Sequence, residues 1–382
     1  MEDIKTNTIL TRRELNGLLE GRNSLLKIPV KDELAIDENN IFAIDIINRY
    51  STNNLLSHVI GYINEAENRG EAGIENVYDE FLNVTDKESL FVEYDKSRTM
   101  ILGGSYYADN SLSFDDPAGV QLTIDKNLQS KVEQILDEEK VKGAVLVAEV
   151  ESAEILALAS RPNFNQSSIE NHLFNDDMAL YNKAIQVAYP PGSIFKIVVV
   201  LAGLKEDPNY INRNFYCRGY EEVGNSRIKC SNINGHGNIS LKDGFAKSCN
   251  SVFIQMGKEL GADKVIDMAK RLGFGERVNI GLIEEIKGNL PEGNNLLGPA
   301  FGNISIGQGQ IQTTPLQVTN MLLTIANNGI EKDMTIVKGI TSKSGRMIKP
   351  FNKFEDRRII NPDSVKVTQK LLEEVLETGS GR

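Results

Sequence analysis

The sequence has no apolar run long enough to cross a bilayer as a helix, which takes about 20 consecutive residues. Its opening residues do not read as a signal peptide either. Cysteine is scarce, with three in 382 positions, so a disulfide framework is excluded. Positive charge is also in deficit: 42 lysines and arginines face 53 aspartates and glutamates, a net charge of −11. That balance argues against nucleic acid or an anionic surface as the main partner. What remains, 40% apolar and 25% charged residues, is ordinary globular composition, and the length allows two or more domains with a substantial core.

Residues 1 to about 50 are charged and loosely periodic, with a short helix expected around Thr11 to Glu20. From His58 the text reads as a strand (His58 to Ile63), a glycine-punctuated loop (Gly70 to Glu75) and an amphipathic helix near Tyr78 to Leu82. His58 has an apolar strand after it rather than further ligands, so it is not read as catalytic. Residues 85–114 look like hairpin material with a turn at Gly103-Gly104, and Asp115-Asp116-Pro117 marks a boundary. Beyond it come a strand at Val120 to Ile124 and a helix over Lys126 to Lys140, capped by Asp125, with Leu128, Val132, Ile135 and Leu136 on one face. Gly143 to Val150 and Glu154 to Ala159 should pair as a hairpin. Thr314-Pro315-Leu316-Gln317 should cap a helix through Met321 to Asn327, residues 335–360 should be further strands, and Pro362 to Glu377 a helix. The fold class is therefore α+β.

One stretch carries chemistry. Tyr189-Pro190-Pro191-Gly192 stops whatever precedes, and Ser193 then opens a helix, with Lys196 three residues on. That spacing brings amine and hydroxyl to neighbouring faces, close enough for the amine to take the hydroxyl proton. The β-branched run Ile197 to Val200 suits a buried helix, and burial lowers a lysine's pKa toward that of a general base. Ser24-Leu25-Leu26-Lys27 has the same letters without the helix break or the apolar run. Ser248-Cys249-Asn250 follows 55 residues after Ser193, beside the apolar Val252-Phe253-Ile254.

All three cysteines and one of three histidines fall between 217 and 249. Cys217, Cys230, His236 and Cys249 form a Cys3His set of the kind that holds a structural Zn2+ ion, and the segment is polar and long for a loop, so a metal could order it. A Cys217–Cys230 disulfide and a buried free Cys249 are the competing readings.

The pair S-x-x-K then S-x-N resembles the active-site serine penicillin-recognising enzymes. Val120 to Gln129, Ala159 to Asn165, Pro190 to Lys196, Gly235-His236-Gly237, Ser248 to Phe253 and Gly307 to Gln317 resemble, in order, blocks of the class B penicillin-binding proteins, the peptidoglycan D,D-transpeptidases. The resemblance implies the penicillin-binding transpeptidase fold, an antiparallel sheet flanked by helices, over 115–382, with 1–114 as part of a smaller N-terminal pedestal. It implies that Ser193 is the acylated nucleophile, Lys196 its base, Ser248 a proton relay and Asn250 a substrate-amide ligand. Peptidoglycan stem peptides would be the substrates and β-lactams the inhibitors. The setting would be the extracytoplasmic face of the cell membrane, reached through an N-terminal anchor outside this chain, beside a membrane glycosyltransferase. Lys343-Ser344-Gly345 has the letters of the family's third motif but precedes the last long helix, so it is read as a turn, and the true motif is expected beyond Arg382. A serine β-lactamase or β-lactam sensor, or a non-catalytic cell-wall scaffold, are the alternatives that the motifs leave open.

Overall fold

The computed structural model describes residues 49–64, 67–82, 88–91, 107–110, 117–173, 177–342, 344–351 and 355–381. The helix expected at Thr11 to Glu20, the Ser24–Lys27 motif, the Gly103-Gly104 turn and Lys343 lie outside these residues. Strands at Glu88–Phe91 and Tyr107–Asn110 pair antiparallel, as the hairpin reading requires.

The elements that matter to the site run as follows. Strand β1 (Pro117–Leu122) leads to helix α1 (Lys126–Glu138), whose cap Asp125 accepts from the N–H groups of Asn127 and Leu128. Strands β2 (Gly143–Ala148) and β3 (Ile155–Arg161) form the expected antiparallel hairpin. Helix α2 (Lys196–Glu206) follows, and strands β4 (Asn214–Cys217), β5 (Tyr220–Val223), β6 (Ser226–Lys229) and β7 (Gly237–Ser240) come next. Helices α3 (Asn250–Leu260), α4 (Ala262–Arg271) and α5 (Pro315–Ala326) precede strands β8 (Val337–Ser342) and β9 (Met347–Pro350). The chain's last described helix is α6 (Pro362–Glu377). A sheet of order β9-β8-β1 is antiparallel throughout, and Thr314 and Gln317 form a full capping box on α5.

Two apolar clusters fill the interior. One is built on α2, every residue of which from Lys196 to Leu204 is buried, packed against α3, α4 and α6. The Val198-Val199-Val200 run makes sense there, because helix packing on several sides repays the rotamer cost of β-branched residues. The other cluster joins β3 and β8 to Leu56, Val59, Ile74 and Tyr78. Residues Thr52–Arg382 cluster as one compact unit.

Three local expectations change. Ser57–Ile60 is a helical turn rather than a strand. The polar stretch after α2 is not a long loop, since β5/β6 form a hairpin and β4 pairs with β7. Helix α1 turns Gln129, Glu133 and Leu136 inward and leaves Ile135 46% exposed. The cause is Arg161 on β3, buried beneath the helix, which donates to Glu133 Oε2 at 3.0 Å and to Asp137 at 2.6 Å. Gln129 adds bonds to the backbone N–H and carbonyl of Leu158. The ionic latch joins the apolar burial of Leu136 in setting which face is buried.

Candidate active site

The break at Pro190-Pro191-Gly192 produces a single 3-10 turn, Gly192–Phe195, that runs directly into α2. Gly192 takes φ +59°, and its N–H donates to the carbonyl of Gly307 at 2.8 Å. Gly307 must approach so closely that a Cβ there would stand 2.0 Å from Gly192 O, which only glycine permits. Tyr189 and Thr313 exchange two further backbone bonds. The turn is thus held from outside α2, and it leaves Ser193 exposed while Lys196, one turn further in, is 2% exposed.

Ser248 reaches the same place from a different element. It lies between the short helix Leu241–Ala246 and α3, in the left-handed region with φ +52°. Bonds from Ser248 N–H to Phe245 O and from Cys249 N–H to Gly244 O hold that conformation, which costs a non-glycine residue on the order of 1 kcal/mol or more. Asn250 is the first residue of α3 and anchors its Nδ2 on the carbonyl of Lys229 at 3.0 Å.

The four side chains converge on one amine. Lys196 Nζ lies 3.2 Å from Ser193 Oγ, 2.9 Å from Ser248 Oγ, 2.8 Å from Ser248 O and 2.8 Å from Asn250 Oδ1. Ser248 Oγ donates to Ser193 Oγ at 2.8 Å, closing a triangle of two hydroxyls and an amine. All of these partners are neutral. Burial therefore dominates and pushes the Lys196 amine down to about 8, against the opposing influence of the Cys249 and Cys230 thiols. An amine near neutrality beside an exposed hydroxyl has the chemistry to take that hydroxyl's proton.

Cys217, Cys230, His236 and Cys249 also come together, with their ligand atoms all within 4.8 Å of one another. The three thiols are free and buried. A tetrahedral ion with metal–sulfur bonds of about 2.3 Å would hold two thiolates about 3.8 Å apart. Cys230 and Cys249 are 3.7 Å apart, and Cys230 Sγ is 3.8 Å from His236 Nδ1, so the donor set and its spacing fit zinc. Cys249 sits between Ser248 and Asn250, and Cys230 follows Lys229, the residue whose carbonyl anchors Asn250.

His58 is buried and packed edge-on against Phe164, with Nε2 2.7 Å from Ala179 O. Burial lowers it to about 4, which keeps it neutral, and its place is in the structural core. Ser344 and Gly345 form the β8/β9 turn, where Gly345 N–H donates to Ser342 O. The carbonyls of Lys229 and Gly307, which brace Asn250 and the Ser193 turn, had no signal in the sequence, since backbone acceptors carry no residue-type signature.

Comparison with known proteins places this geometry. The family described as the penicillin binding protein transpeptidase domain matches residues 143–382. Stage V sporulation protein D of Bacillus subtilis is 29% identical over 365 residues, covering 92% of this chain and 54% of that protein. The crystal structure of the D,D-transpeptidase domain of a peptidoglycan glycosyltransferase from Eggerthella lenta superposes with a TM-score of 0.70 at 25% identity, over 86% of this chain and 75% of that one. The penicillin G acyl-enzyme complex of penicillin-binding protein A from M. tuberculosis gives 0.63 at 26% identity, over 69% and 65%. The chain spans about half the length of the curated relatives it matches.

Proposed function

The chain belongs to the penicillin-binding protein transpeptidase family, and from that premise we propose that it is a serine acyltransferase that cross-links peptidoglycan stem peptides and is acylated by β-lactams. The observation that carries this reading is the single buried amine bonded at once to Ser193 Oγ, Ser248 Oγ and Asn250 Oδ1. Neutral Lys196 takes the Ser193 proton as Oγ attacks the carbonyl carbon between two terminal D-alanines. The C–N bond then breaks, and the leaving amine receives a proton through Ser248, which bonds to both Ser193 and Lys196. The product is an ester on Ser193 and free D-alanine. Attack by the amine of a second stem peptide returns the serine and forms the cross-link. Asn250 orients the peptide amide, and the N–H of Ser193 serves as one donor to the oxyanion. Proton transfer of this kind contributes about 10²–10⁴-fold.

Cys217, Cys230, His236 and Cys249 hold a structural zinc ion in this reading. Its chemistry is to fix backbone rather than to touch substrate, because Cys249 lies inside the Ser248–Asn250 motif. In this reading the protein acts on stem peptides at the extracytoplasmic face of the cell membrane, beside a membrane glycosyltransferase that supplies glycan. Labelling with a fluorescent penicillin followed by peptide mapping tests the core of the proposal: label on the Ser193 peptide, lost in Ser193→Ala, is expected. Labelling that survives that substitution overturns it.

A further inference from the structure

The face of the β5/β6 hairpin that looks away from α3 is cationic in a chain whose net charge is −11. Register puts Tyr220 opposite Lys229 and Glu222 opposite Arg227, and cross-strand partners share a face. The other face is spent on packing: Val223 is buried there, and Glu221 accepts hydrogen bonds from Ser251 and Gln255 of α3. The hairpin is thereby fixed as a platform. On its outer side the guanidinium carbons of Arg227 and Arg218 lie 4.1 and 4.4 Å from the centre of the Tyr220 ring. Such contacts restrain two otherwise floppy side chains. Among the described residues, Glu222 is the one carboxylate that faces both guanidiniums, at 3.4 and 3.6 Å, and each arginine stays about half exposed. Three cations against one carboxylate leave several N–H donors directed at solvent.

The platform adjoins the reaction site. The carbonyl of Lys229 is the one that Asn250 Nδ2 holds, so the cationic face begins at the residue that braces a site side chain and extends one strand spacing away through Tyr220. A peptide held by Asn250 with its terminal D-alanines at Ser193 has further residues to place, and this face lies on the Asn250 side.

We propose that Arg218, Arg227 and Lys229, organised by Tyr220, form a subsite for the free carboxylates of a stem peptide, so that the enzyme prefers acidic stems to amidated ones. This rests on the acyltransferase reading above and specifies its substrate. Paired guanidiniums suit carboxylates, which they meet with two parallel hydrogen bonds. The exposed position makes the preference sensitive to ionic strength.

The test is equilibrium binding to the Ser193→Ala protein of a pentapeptide ending in D-Ala-D-Ala with free side-chain carboxylates, against the same peptide with those carboxylates amidated. The acidic peptide is expected to bind about tenfold more tightly in low salt, with most of the difference lost in about 0.5 M salt. Adding Arg218→Gln and Arg227→Gln should erase the preference while leaving the melting temperature within about 2 °C, as surface changes do. Equal affinity for the two peptides, or a preference that survives both substitutions, overturns the subsite. Failure of the unmodified protein to react with benzylpenicillin would instead strike the acyltransferase reading, and the peptide preference would still be decided by its own measurement.

Discussion

Two buried cations divide the molecule between chemistry and structure. Arg161 is 4% exposed and Lys196 is 2% exposed, yet their surroundings are opposite. Arg161 meets two carboxylates, Glu133 and Asp137. Burial opposes its charge, but the bonds to Asp137 and Glu133 outweigh burial and hold its proton more tightly than usual. Among the described residues Lys196 hydrogen-bonds to hydroxyls, a carbonyl and an amide oxygen and to no carboxylate, with the Phe253 ring 5.4 Å away, and these contacts and the nearby Cys249 and Cys230 sulfurs do not offset the loss of hydration, so the amine is lowered. The compensated cation latches helix to strand; the uncompensated one gives up its proton more readily.

Exchanging roles should separate the two most sharply by substitution. Lys196→Met should cut penicillin acylation about 10²–10⁴-fold and leave the melting temperature equal or higher. The sign follows from linkage: an amine at about 8 when folded and 10.5 when unfolded costs about 3 kcal/mol at pH 7, a cost relieved as pH rises from 8 toward 10.5. Arg161→Ala should do the reverse. It strands Glu133 under α1 and should lower stability by about 3–5 kcal/mol in denaturant titration, with acylation per folded molecule little changed. Loss of stability in Lys196→Met equal to that in Arg161→Ala would erase the distinction.

How far the two regions could be read in advance differs for a physical reason. That Ser193 and Lys196 meet was legible because a helical spacing and a helix break are both local in sequence. The caps at Asp125 and Thr314 and helix α6 were legible on the same ground. The latch was not. Of the expected face Leu128, Val132, Ile135 and Leu136, Leu136 is buried, but Arg161, 28 residues beyond Glu133 in the chain, holds Glu133 inward, and Gln129 joins it through bonds to Glu133 and Leu158. The convergence of Cys217, Cys230, His236 and Cys249 was suggested by their spacing, but their setting in paired strands was hidden, since β4 to β7 are four residues each and partly polar.

A zinc ion held by Cys217, Cys230, His236 and Cys249 would tie Ser248 and Asn250 to the β4–β7 strands without altering the latch. His236→Ala should reduce bound zinc from about one per chain toward zero by elemental analysis, lower the melting temperature by several degrees, and slow acylation about tenfold or less. Protein purified without chelator that holds no metal and carries a Cys217–Cys230 disulfide by mass would remove the zinc ion from the account.

At the small end stands the β8/β9 turn. Lys343→Ala and Ser344→Ala should each leave acylation within about threefold and stability within about 0.5 kcal/mol. A hundredfold loss in either would show that Lys343-Ser344-Gly345 belongs to the reaction after all.

If buried Lys196 acts in its neutral form, penicillin acylation follows the titration of its amine, and the pH profile of the acylation rate reads this out. Below the amine's value the neutral fraction, and with it the acylation rate, should rise about tenfold per pH unit, levelling off above about 8. A rate that is flat between about pH 6 and 9, or that still climbs steeply toward the 10.5 of an ordinary exposed lysine, would contradict the account.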